Sequence, residues 1–204
     1  MEKNQSKELR LAHKKLRDNM SAEEHSLKSA DVSGNVLALL ESDFKGANIF
    51  LCFYPFGSEV NLMPLYERLI ESGKALYFPK SSIDNHELTF YRISHIRSDF
   101  HKGAYGIMEP NDTLPIFEYK AHKNERIICI TPGLIFDKHL NRIGYGAGFY
   151  DRFLCDKSNI IKIAPCFAHQ IIDKIFSKPH DVCMDVLVSE KGIEAIGGEY
   201  NDIN

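Results

Sequence analysis

Several common functional signatures are missing from these 204 residues. The five cysteines, at 52, 129, 155, 166 and 183, form no CxxC pair, and their number is odd. That argues against a zinc site or a disulfide framework and for a reducing, cytoplasmic compartment. The histidines form no HExxH and no metal-spaced cluster. No GxxxxGK[ST] loop and no Rossmann GxGxxG occurs. No apolar run approaches the roughly 20 residues of a membrane span. The first ten residues, MEKNQSKELR, carry no apolar region of the secretory kind, so no secretory signal is expected. Internal repeats and low-complexity segments are absent. The formal net charge of −3 gives no general attraction to nucleic acid. An anionic ligand would need a local cluster of positive groups.

What is present is an ordinary globular composition, 44% hydrophobic and 26% charged, in a length that suits a single domain over residues 1–204. Residues 7–20 read as a helix, with Leu9, Ala12 and Leu16 near helical spacing. SAEE at 21–24 reads as a capping box opening a second helix that carries Leu27, Val36, Leu37 and Leu40. NIFLCFY (48–54) is a continuous apolar run, the pattern of a strand buried on both faces. A helix follows over LMPLYERLIES and stops at Gly73. KALYFPK, LTFYRI, RIICI, IIKIAPCF and DVLVSE read as further strands, and FYDRFLCD as a short helix. Residues 94–126 read as a long irregular connection. Strands alternating with helices predict an α/β fold with a largely parallel sheet. Such sheets bind ligands beyond the carboxyl ends of their strands, here the loops 55–61, 132–148 and the region of His169.

The most unusual stretch is RIGYGAGFYDRF (142–153). Gly144, Gly146 and Gly148 alternate just before the predicted short helix. Bare backbone N–H groups and a helix start can cradle an anion. Arg142 adds a guanidinium suited to phosphate, and is expected to carry little packing as a loop residue. Asp151, in the first helical turn, would repel phosphate directly and suits Mg²⁺ instead. The alternative is a glycine-rich surface turn, with Asp151 favourable to the helix dipole. Three further stretches have the same two-sided character. In YPFGSEVN, Glu59 lies beside Tyr54 and Phe56. It is either a solvated carboxylate or a hydrogen-bonding group for a flat heterocycle. In GAYGIMEP, Tyr105 either sits in a plain turn or closes over a planar ligand. In HDVCMD, Asp181 and Asp185 are either turn residues or metal ligands.

Together these four stretches resemble the 5-formyltetrahydrofolate cyclo-ligase family, also called 5,10-methenyltetrahydrofolate synthetase. The likeness runs from ELRLAHKKLRDNMSAEE through YPFGSEVNL, GKALYFPK and GAYGIMEP to TPGLIFDKHLNRIGYGAGFYDRFL and HDVCMDVLVSE. Residues 132–154 are the most specific part. The resemblance implies a three-layer α/β/α sandwich. It implies a Mg²⁺-dependent enzyme that uses ATP as co-substrate to turn a reduced folate, 5-formyltetrahydrofolate, into 5,10-methenyltetrahydrofolate, releasing ADP and phosphate. It implies an ATP site of Lys7, Arg10, Arg142 and Gly144, Tyr145, Gly146, Ala147, Gly148, Phe149 and Tyr150, with Arg142 catalytic. It implies a folate site of Tyr54, Glu59, Tyr105 and Tyr145–Phe149, and a metal site of Asp151 and Asp181. Where the family usually carries a basic residue four positions before Arg10 stands Ser6, and Lys7, one place later, is the residue expected to substitute. Pro179 stands where many members carry an acidic residue. A monomer with no nucleic-acid or membrane partner is expected. Rival readings are a non-catalytic folate-binding protein and a sugar-phosphate isomerase or CoA-transferase-like enzyme on the same fold.

Overall fold

A computed structural model of the chain describes residues 2–103, 106–177 and 181–197, with side chains from residue 7 onward. The segments expected as strands, joined by one more at Gly192–Ile196, form one seven-stranded sheet, ordered β12-β11-β9-β6-β1-β2-β3. Its members are β1 (Ile49–Leu51), β2 (Ala75–Ser82), β3 (Glu87–Ile93), β6 (Ile127–Ile130), β9 (Ile160–Pro165), β11 (Val186–Ser189) and β12 (Gly192–Ile196). The five central strands pair in parallel, and β3 and β12 close the edges antiparallel.

Side chains alternate across this sheet with period two. Phe50, Ile128, Ile161, Ile163 and Val186 point to one face, where Val32, Val36, Leu39 and Leu40 of α2 (Ala22–Ser42) and Leu65, Tyr66 and Leu69 of α3 (Met63–Glu71) cover them. Ile49, Leu51, Ile127, Cys129 and Ile160 point to the other face, against Leu154, Tyr150 and Phe153 of α4 (Phe149–Leu154). That third layer is completed by a small sheet of β10 (Ile171–Ile172), β7 (Ile135–Asp137) and β8 (Arg142–Ile143). A two-stranded ribbon, β4 (Phe100–Lys102) with β5 (Met108–Pro110), interrupts the segment read as irregular. Three residues per strand or fewer gave these short elements no periodic signature.

The first helix, α1 (Glu2–Asp18), forms where expected but docks differently. Ala12 and Leu16 face solvent, Leu16 at 54% exposure, and Leu9 alone of the three packs inward, against Leu134, Ile135 and Ile175. The face turned to the protein is Arg10, His13 and Arg17, three and four residues apart. At the start of α2 only half of the capping box forms. Ser21 Oγ accepts from the Glu24 N–H at 3.1 Å, while the Glu24 carboxylate pairs with Lys28 at 2.7 Å.

The chain order locates the cleft. From β1 the chain crosses through α3 to β2 on one side. From β6 it crosses through α4 to β9 on the other side and over the opposite face. β1 and β6 are neighbours, so their outgoing loops part company and leave a crevice at the carboxyl ends.

Candidate active site

The two loops at that crevice supply Glu59, after β1, and Gly133 with the glycine stretch, after β6. Glu59 and Tyr145, 86 residues apart, meet there. The Tyr145 hydroxyl donates to Glu59 Oε1 at 2.6 Å. Glu59 Oε2 accepts the Phe56 N–H at 3.0 Å, and the side chain folds back into its own loop. Glu59 is 7% exposed, which removes the solvated alternative. Burial pushes its carboxyl above the ordinary range, opposed by the bonds from Tyr145 and Phe56 and by the Arg17 charge. Burial and the Glu59 charge also raise Tyr145, so its phenol keeps its proton. The Tyr145 ring stays half exposed at the mouth of the crevice. Tyr54 is half-buried, edge-on to Phe100 with ring centroids 4.9 Å apart.

The glycine stretch wraps from β8 into α4. Gly146 has φ +108° and Gly148 φ +67°, a backbone that side chains with a Cβ rarely adopt. Arg10 Nε donates to Gly144 O at 2.9 Å, so α1 holds the loop from outside. Arg152 donates to Ala147 O at 2.5 Å and to His86 O at 2.9 Å, pinning the loop to the β2–β3 turn. Its guanidinium stands 5.7 Å from the Phe149 ring centre. Lys7 is exposed, three residues ahead of Arg10.

Arg142 is not the loosely held loop arginine expected. Its side chain is 4% exposed and lies 5.7 Å from the Tyr150 ring centre. One end donates to Pro132 O at 3.2 Å and the other to Asp151 Oδ1 at 2.9 Å. Position 142 lies inside β8, and the pairing of β8 with β7 draws it beneath the loop. Its Nε and the Tyr150 hydroxyl are both buried without a hydrogen-bond partner among the described residues. Asp151 Oδ1 also accepts the Val182 N–H at 3.2 Å, which brings the backbone next to Asp181 against it. Among the described residues no group of three His, Cys, Asp or Glu could hold a metal ion. Mg²⁺ takes one or two protein carboxylates in nucleotide sites, a demand that Asp151 alone can meet. Asp185 is drawn away, bonded to Lys162 at 2.7 Å. Tyr105, Pro179 and His180 lie outside the described residues.

Three contributors went unread in the sequence. Arg17 is 3% exposed and donates to Tyr145 Oη at 2.7 Å. Gln170, 2% exposed, donates to Gly133 O and Leu134 O and steadies the loop after β6. Asp137 is fully buried and accepts from the His139, Asn141 and Ile175 N–H groups, so it shapes the turn that delivers Arg142. For Arg17 a signal existed. Positions 10 and 17 lie two helical turns apart on one face.

Comparison with known proteins identifies the family. The sequence model of the 5-formyltetrahydrofolate cyclo-ligase family matches residues 2–190. The 5-formyltetrahydrofolate cyclo-ligase of Haemophilus influenzae is 29% identical over 189 residues, covering 89% of this chain and 96% of that protein. The enzyme of that name from Mycolicibacterium smegmatis is 30% identical over 155 residues, 72% of this chain and 76% of its own. The solution structure of the Aquifex aeolicus 5,10-methenyltetrahydrofolate synthetase superposes with a TM-score of 0.76 at 30% identity, over 93% of this chain and 91% of that one. With a match over nearly its whole length, the chain belongs to the 5-formyltetrahydrofolate cyclo-ligase family.

Proposed function

We propose that the crevice between β1 and β6 converts 5-formyltetrahydrofolate to 5,10-methenyltetrahydrofolate at the expense of ATP, and that residues 1–204 act as one unit. The observation that carries this reading is the meeting of Glu59 and Tyr145 beneath the glycine stretch, at 2.6 Å. A buried carboxylate suits a heterocycle, and the glycine backbone beside it suits phosphates, which supports this reading.

The chemistry has two steps. The formyl oxygen takes the γ-phosphoryl group and ADP leaves. N10 of the same molecule then attacks the activated carbon, losing its proton, and phosphate departs with the former formyl oxygen. Closure is intramolecular, so holding the folate in a near-attack geometry supplies much of its rate. Phosphoryl transfer needs positioning and charge neutralisation more than covalent help, and no side chain has to act as a nucleophile. The backbone of Gly144–Gly148 would face the phosphates. Arg142 supports it from below and Arg10, with Lys7 nearby, from the side. Tyr54, Glu59 and the stretch Tyr145–Phe149 would hold the folate, with Tyr105 as a further contact. Mg²⁺, held by Asp151 and Asp181, would neutralise charge on the transferring group.

No helix among the described residues is long and apolar enough to cross a membrane. A cytoplasmic protein without nucleic-acid partners fits the net charge of −3 and five free cysteines, and a monomer is the expected state.

The test is absorbance of the methenyl product with 5-formyltetrahydrofolate and Mg²⁺, with ATP present or absent. No ATP-dependent product would end this reading. Glu59→Gln keeps the size and removes the charge. It should weaken 5-formyltetrahydrofolate binding at least about tenfold, since a hydrogen bond to a charged group is worth about 1.5–3 kcal/mol, and leave ATP binding nearly unchanged. Loss of ATP binding alone would place Glu59 elsewhere.

A further inference from the structure

Arg17 is unusual among the cations of this molecule. It is 3% exposed, yet among the described residues no carboxylate lies within ion-pair distance of it. A buried guanidinium without a direct counter-ion is costly and needs every donor used. Arg17 uses its fork across three segments. Nε donates to Ser58 Oγ at 3.0 Å in the loop after β1, and NH1 reaches Gly133 O at 3.5 Å after β6. NH2 donates to Tyr145 Oη at 2.7 Å in the glycine stretch. Its guanidinium also stands 5.9 Å from the Tyr145 ring centre.

The charge is answered indirectly. Tyr145 accepts from Arg17 and donates to Glu59, so one hydroxyl joins the buried cation to the buried anion. On the other side Ser58 accepts from Arg17 and donates to Asp18. A phenol has one proton to give. With Arg17 taking its lone pair, that proton is committed to Glu59. Without Arg17, Tyr145 is free to swing with its half-exposed ring, and Glu59 loses the support of the Arg17 charge.

We propose that Arg17 is a positioning residue for the folate end of the site. It reaches the reaction through Tyr145 and Glu59, fixing the phenol on the carboxylate before substrate arrives. The proposal rests on the reading that Glu59 and Tyr145 receive the folate.

The test uses Arg17→Met, Arg17→Lys, Tyr145→Phe and the double variant Arg17→Met/Tyr145→Phe. For each, 5-formyltetrahydrofolate and ATP are titrated separately by calorimetry, kcat and both KM values are measured, and the melting temperature is recorded. Arg17→Met should weaken 5-formyltetrahydrofolate binding about tenfold, with ATP binding changed less than about twofold, as for loss of a charge-assisted bond. The double variant should bind folate no worse than Tyr145→Phe, because both changes remove the same link. Arg17→Lys should recover part of the loss by restoring the charge without the fork. A purely structural arginine would instead lower the melting temperature and harm both ligands alike, or its loss would multiply with that of Tyr145→Phe. Either result overturns the proposal. If Arg17→Met does not fold, normal folate affinity in Arg17→Lys and Tyr145→Phe together overturns it. Equal folate affinity in wild type and Arg17→Met overturns the role of Arg17 alone. Wild type that binds no 5-formyltetrahydrofolate overturns the reading of the site as well.

Discussion

The helices α1 and α2 follow one another in the chain, yet they are held by different forces. α2 buries Val32, Val36, Leu39 and Leu40 against the sheet, each 5% exposed or less. α1 leaves Leu11 at 61% and Leu16 at 54% exposure and turns arginines inward. Arg10 grips Gly144 O, Arg17 grips Tyr145, and Leu9 supplies an apolar contact. Apolar burial is non-directional and scales with area, so α2 builds the fold. Hydrogen bonds from guanidinium groups are directional, so α1 fixes the angles of the glycine stretch. One helix is architecture, and in the proposed function the other belongs to the chemistry.

The largest effect should come from the architectural side. Leu39→Ala removes a 2% exposed side chain from the contact between α2 and the sheet. It should cost about 2–5 kcal/mol, read from a chemical-denaturation midpoint. Both KM values should stay unchanged per folded molecule. A shift of several-fold in either KM would mean that α2 also shapes the site, and the contrast with α1 would collapse.

Arg142→Ala tests whether the two kinds of holding can coincide in one residue. Arg142 sits under the glycine stretch, ion-paired to Asp151 at 2.9 Å. Turnover should fall at least about tenfold, as expected for a charge-assisted contact. Stability should fall too, by about 1–3 kcal/mol, below the figure for a fully buried pair because the Asp151 side chain is 22% exposed. Stability and turnover measured on the same preparation separate the two losses. Full stability with lost turnover would return Arg142 to the loose loop residue that its sequence context suggests.

That last contrast marks how far the sequence could be read. The strands β1 and β6 were legible because their residues are apolar without a break, the pattern of a strand covered on both faces. The site loops were legible because glycine alternation and a lone glutamate close after Tyr54 and Phe56 are locally odd. What stayed hidden was long-range. β8 has two residues and no period, so nothing announced that Arg142 would be drawn inward. The inward face of α1 carries Arg10, His13 and Arg17, and a rule that seeks apolar stripes points to Leu9, Ala12 and Leu16 instead. Arg17 finds Tyr145 128 residues away, a distance that no local pattern spans.

The smallest effect sharpens the comparison by pH. His13 on α1 and His169 after β9 each bury a ring nitrogen without a hydrogen-bond partner among the described residues. His169 lies parallel to Phe167, with ring centres 5.7 Å apart. Burial holds both imidazoles below their ordinary value of 6.5. Lys28 and His13 push His169 further down, while Glu190 and Glu24 oppose them. The lowered values mean that the unfolded chain binds protons more readily than the folded one. The stability these groups contribute is therefore complete above pH 6.5 and lost as pH falls below it. His169→Gln removes one of the two groups. The fall in melting temperature between pH 7 and the mildly acidic range should become shallower than in wild type. Amide exchange should report the same loss unevenly. In wild type at mildly acidic pH, protection in α1 should weaken before protection in α2, because α1 has little apolar area to hold it once His13 is charged. If both helices lose protection together, or if His169→Gln leaves the pH slope unchanged, these histidines do not set the hold on α1.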